Sequence, residues 1–70
     1  MYKEVFKHRI IHARNECNLS QREVAEKLKI SKSTIASYET GRTEPDIETF
    51  AKLAVLYCHT LDYFVGLADD

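Results

Sequence analysis

Lys32, Ser33, Ser37 and Thr40 share one face of a short helical pattern with Ala36, because residues three and four apart stack on the same side of a helix. An ordinary solvated helix surface carries long Glu, Lys and Gln side chains of high helix propensity. This face of hydroxyls, one alanine and a lysine gives up helix stability and gains close approach to whatever lies against it. Hydroxyls donate and accept and a lysine donates, so the array suits base edges in a DNA major groove, about 12 Å wide. Other chemistries find less support. His8 and His12 are four apart on a predicted first helix, but no acidic or cysteine ligand stands in sequence register with them, and no metal is expected. Cys17 and Cys58 form no CxxC pair and read most simply as small hydrophobes. With no glycine-rich phosphate loop and no nucleophile motif, neither an enzyme nor a cofactor or small-molecule substrate is expected.

The elements around that face follow from capping and periodicity. Ser20 and Glu23 have the spacing of a capping box, and Val24, Ala25 and Leu28 then repeat at helical spacing. A bend at Lys29-Ile30 leads to Ser31, a second cap, and to a helix whose inner face is Ile35, Tyr38 and Glu39. Gly41 closes it. Upstream, a helix from about Tyr2 to Glu16 is expected to pack Phe6, Ile10, Ala13 and Cys17. Downstream, Asp46 is expected to cap a fourth helix packing Ile47, Phe50, Leu53, Ala54 and Tyr57. Thr60 caps a fifth, which carries Leu61, Phe64 and Val65. The predicted fold is all-α, five helices around one core. Residues 1–70 form a single domain with a helix-turn-helix core at about 20–41.

The stretch LSQREVAEKLKISKSTIASYETGRTEP, from Leu19 to Pro45, closely resembles the Cro and phage-repressor type of helix-turn-helix, the XRE family. The pattern is met at Leu19, Ser20, Gln21, Val24, Ala25, Leu28, Ile30, Ser31, Ile35, Tyr38, Glu39, Gly41 and Pro45. Arg9-Ile10 and Arg14 stand where the family has its first-helix signature, and LDYFVGL resembles its fifth helix. The resemblance implies a lambda-repressor-like fold and a set of roles. Gln21 would bind a phosphate at the start of the second helix, where exposed amides also favour an anion. Lys32, Ser33 and Ser37 would read bases; Thr34 and Arg42, with Thr40 and Thr43 as weaker candidates, would hold phosphates. Arg14 and Glu39 would form a buried ion pair. The chain departs from the pattern at Lys29, where the family has a glycine in left-handed conformation; the substitution should cost about 1 kcal/mol. Asn18 also stands where glycine is common, and asparagine tolerates that conformation better.

The formal net charge of −1 conceals a division. Residues 1–43 hold nine Lys and Arg against five Asp and Glu, a net of +4, whereas residues 44–70 hold one against six, a net of −5. Phosphate contact depends on local potential, so the basic half is expected to face DNA and the acidic half to face away. A hydrophobic fraction of 44% argues against disorder. Without a long apolar run or a basic-then-apolar leader, a soluble cytoplasmic protein away from membranes is expected. The expected function is sequence-specific binding of double-stranded DNA as a transcriptional regulator, a repressor of phage or mobile-element type on a palindromic operator. One recognition helix covers only a few base pairs, so a homodimer is expected. Its surface is assigned to helix 5 and the tail, where Tyr63, Phe64, Val65 and Leu67 exceed what so short a helix can bury. The alternative is an antitoxin-like or regulatory protein-interaction module.

Overall fold

The computed structural model describes residues 2–69 and, among them, contains five helices and no strands: α1 Tyr2–Glu16, α2 Gln21–Leu28, α3 Lys32–Thr40, α4 Ile47–Tyr57 and α5 Leu61–Val65. The architecture is the small all-α, lambda-repressor-like arrangement. α1 packs against α3 and α5, α2 packs against α3, and α4 bridges α5 and α2.

The caps set most of these boundaries. At Ser20 both halves of the capping box form: the Glu23 amide donates to Ser20 Oγ at 3.1 Å and the Ser20 amide donates to Glu23 Oε1 at 2.8 Å. Those bonds to Ser20 hold the Glu23 carboxyl below its ordinary range. Ser31 accepts from the Thr34 amide at 3.1 Å, and Thr60 accepts from the Tyr63 amide at 3.1 Å. Asp46 occupies the N-cap of α4 with extended backbone but forms no side-chain bond to the helix amides. A hydrogen bond with the Thr49 side chain is the main cause that lowers its pKa. Left-handed residues end the helices. Gly41 and Gly66 have φ of 80° and 88°, and Asn18, Lys29 and Cys58 adopt 57°, 59° and 60° without being glycine.

Phe6, Ile10 and Ala13 of α1, Val24 and Ala25 of α2, Ile35 and Tyr38 of α3, Leu53, Ala54 and Tyr57 of α4, and Tyr63 and Phe64 of α5 form the core. Leu28, Phe50 and Leu61 are partly buried against this core, whereas Cys17 and Ile47, also expected to pack inward, are exposed. Cys17 is exposed, because α1 ends at Glu16 and the chain turns away through Asn18. Ile47 is 71% exposed. At about 100° per residue, the inward residues Phe50, Leu53, Ala54 and Tyr57 centre roughly 70° round α4 from Ile47.

Tyr63 and Phe64 correct the expected self-association patch, since both are buried. Tyr63 is held between the His59 ring, stacked at 3.9 Å, and the Arg9 guanidinium, 4.7 Å from its centroid. Phe64 makes edge contacts with Phe6 and Phe50 and a tilted contact with Tyr57. Arg9 also donates to the Tyr63 and Ala68 carbonyls at 2.7 and 2.5 Å, tying the end of α5 to α1. Val65 is half-buried and Leu67 is 79% exposed. Among the described residues no helix is long and apolar enough to cross a membrane.

Candidate nucleic-acid interface

The turn Lys29-Ile30-Ser31 joins α2 to α3. It works because Lys29 takes φ 59° and ψ 43°, which lets its amide bond back to the Ala25 and Glu26 carbonyls while the Ile30 amide reaches Ala25 O at 3.0 Å. Ile35, Tyr38 and Glu39 anchor the inner side of α3. Its outer side is left to Lys32, Ser33 and Thr40, which are exposed, and to Ala36 and Ser37, which are half-buried.

At the start of α3 the hydroxyls gather. Ser31 Oγ lies 3.1 Å from Ser33 Oγ and 2.7 Å from Thr34 Oγ1, so the cap also orders two of the residues beside the helix N-terminus. Ser33, Thr34, Ser37, Tyr38, Arg42, Thr43 and Glu44 line one open groove of about 470 Å³. The structure thus brings together two of the three residues expected to read bases and three of those expected to hold phosphates. Lys32, Gln21 and Thr40 lie outside the groove lining. Thr40 directs its hydroxyl at the Ser37 carbonyl, 3.2 Å away, and in this rotamer has no hydrogen to offer an anion.

Behind the groove lies a polar network. Arg14 Nε and Nη2 reach Glu39 Oε2 and Oε1 at 2.7 and 3.1 Å, and Arg14 Nη1 donates to the Leu19 carbonyl at 2.9 Å. The bond to Glu39 raises the Arg14 pKa. The side chains are only 15% and 5% exposed, so this is the buried bidentate pair that the resemblance implied. Gln21 belongs to it as well: its Nε2 donates to Glu39 Oε1 at 3.0 Å. An amide nitrogen carries two hydrogens, so one bond to Glu39 fixes the side chain and leaves one donor.

The sequence reading missed Glu44 on the groove wall. Its loop position between Thr43 and Pro45 was visible, but only the course of the chain after α3 makes it line the same groove as Ser37 and Arg42. Among the described residues no group of three or more His, Cys, Asp or Glu is arranged to hold a metal ion.

A family model described as helix-turn-helix matches residues 10–58. The chain is 38% identical over 58 residues to the HTH-type transcriptional regulator ImmR of Bacillus subtilis, covering 83% of this chain and 46% of that protein. It is 40% identical over 58 residues to the HTH-type transcriptional regulator AnsR of Bacillus subtilis, covering 83% and 50%. It is also 40% identical over 53 residues to the cryptic phage CTXphi transcriptional repressor RstR of Vibrio cholerae, covering 76% and 48%. These relatives bear the names of regulators and a repressor rather than of enzymes. The chain spans about half the length of the curated relatives it matches. No solved structure matches it. The matched span runs from within α1 to the end of α4 and contains the whole capped α2–turn–α3 unit, and the chain therefore belongs to the helix-turn-helix family of the Cro and phage-repressor, or XRE, type.

Proposed function

We propose that the chain is a cytoplasmic, sequence-specific regulator of transcription that binds double-stranded DNA, a repressor of phage or mobile-element type that grips a palindromic operator as a homodimer. The observation that carries this reading is the outer side of α3. Short hydroxyl side chains stand there beside Lys32, over a groove that Arg42 and Thr43 help to line. In this reading residues 1–70 act as one DNA-binding domain. Lys32, Ser33 and Ser37 meet base edges, while Thr34, Arg42 and Thr43 hold the backbone and Gln21 offers its second amide hydrogen to a phosphate. Thr40 is the weakest of the set because of its bond to Ser37.

Binding measured against salt concentration tests the assignment. Arg42→Ala should weaken binding to all sequences alike and reduce the slope of log affinity against log salt by about 1, since one phosphate contact is lost. Gln21→Ala should weaken all sequences too but leave the slope unchanged, because the amide carries no charge. Lys32→Ala should in addition alter which bases are preferred. If the parent chain fails to bind DNA at low salt, or the Arg42 variant keeps the parent slope, the reading fails.

A further inference from the structure

Ile47, Ala51 and Val55 stand four residues apart on α4 and form an exposed apolar stripe along the helix, Ile47 at 71% and Val55 at 80% exposure. Between the later part of that stripe and the end of α2 runs an open groove of about 730 Å³, with Leu28, Ala51, Val55 and Leu56 as its apolar wall. Single exposed apolar residues are ordinary, but a stripe that continues into an apolar groove is not. The charge around the groove is one-sided. Lys27 and Lys29 come from α2 and its C-cap and Lys52 from α4, and among the described residues Glu48 is the only acidic side chain in the lining. Lys52 is also the only Lys or Arg in residues 44–70, against six Asp and Glu, so the acidic half of the chain places its single cation here. Lys29 is held in a left-handed conformation that strains any side chain. The turn needs only that conformation, which glycine would supply without strain, so what the exposed lysine adds is an ammonium at the edge of the groove.

We propose that the groove between α2 and α4 is the docking site for an acidic amphipathic helix of another protein, one that carries Leu or Phe anchors three and four residues apart with Asp and Glu beside them. Charge complementarity selects this occupant. Three ammonium groups against one carboxylate repel a basic partner and a second copy of the same face, whereas they attract carboxylates at the rim while apolar anchors cover the wall. A helix suits the surface better than a strand does, because two helices form the groove and offer no sheet edge to extend. None of the residues that line it lines the groove beside α3, so one chain can hold DNA and the acidic helix together.

Selection from a phage-displayed library of randomised helical peptides, with the parent chain as bait, tests this assignment. Enriched peptides should combine Leu or Phe at helical spacing with Asp or Glu. Synthesised and added to the labelled chain, they should shift the amide resonances of Leu28, Ala51, Val55 and Leu56 in NMR spectra. Val55→Glu should weaken their binding at least about tenfold, because it sets a carboxylate against the anchors, and Lys27→Glu combined with Lys52→Glu should do the same by reversing the rim. Both variants alter exposed side chains and should melt as the parent does. Double-stranded DNA should leave the peptide bound. Enrichment of no peptide, or of peptides without acidic bias, overturns the proposal, as do shifts centred elsewhere or binding indifferent to both variants. Displacement by double-stranded DNA or by anionic lipid vesicles would assign the lysines to phosphates and overturn it equally. A chain that takes the peptide but binds no DNA would sink the regulator reading and leave this one standing.

Discussion

Lys29 concentrates the local strain of the interface, because a side chain at φ 59° gives up about 1 kcal/mol that glycine would not. Lys29→Gly should therefore raise the melting temperature by several degrees, at about 4–8 °C per kcal/mol for a domain of this size. An unchanged or lower value in thermal unfolding followed by circular dichroism would refute the strain. Glu39 presents the opposite case, a charge satisfied on every side by Arg14 and Gln21. Removing its carboxylate leaves Arg14 buried without a counter-ion, so Glu39→Ala should cost about 3 kcal/mol in urea unfolding. A variant as stable as its parent would show that the pair contributes nothing. Both residues were legible in the sequence only through the resemblance. Nothing in spacing alone announces positive φ at a lysine, or the pairing of an arginine with a glutamate twenty-five positions away.

The helices themselves were legible because their ends are written in short side chains. Ser20, Ser31 and Thr60 cap α2, α3 and α5 at the expected positions, each by accepting a backbone amide. Which side of a helix faces inward was harder to read where an element sits at the margin of the core. Ile47 looked like the first turn of a buried face and instead opens an exposed stripe. Tyr63 and Phe64 looked surplus to a five-residue helix, yet His59, Arg9 and the aromatic cluster enclose them. Such packing depends on contacts between residues distant in sequence, which periodicity does not encode. The α2 cap also has a pH signature. The Glu23 pKa is lowered in the folded chain, so its contribution is present above the unfolded carboxylate pKa and is lost as pH falls through the folded value. Glu23→Gln should narrow the stability gap between neutral and strongly acidic solution, as measured by melting at both pH values. An undiminished gap would mean that the capping carboxylate has no part in acid unfolding.

At the scale of the whole molecule charge is divided along the chain. α1 to α3 belong to a stretch with net +4, and α4 and α5 to one with net −5. Glu44, from the acidic stretch, nonetheless lines the groove beside α3, so the division of charge along the chain is not a clean division of faces. The order of helices, the turn and the charge division could be read from the chain. The presence of Glu44 in the groove and the exposure of Ile47 and Val55 needed the fold, because the course of the loop after α3 and the side that α4 turns to the core are settled by packing rather than by spacing. Selection of bound sequences from a random pool of double-stranded DNA tests the central claim most directly. The parent should enrich an inverted repeat with half-sites about 10 base pairs apart from centre to centre, and Lys32→Ala should change the preferred bases within each half-site. Enrichment of no sequence at low salt, or of the same motif by a variant with Lys32, Ser33 and Ser37 all replaced by alanine, would contradict it.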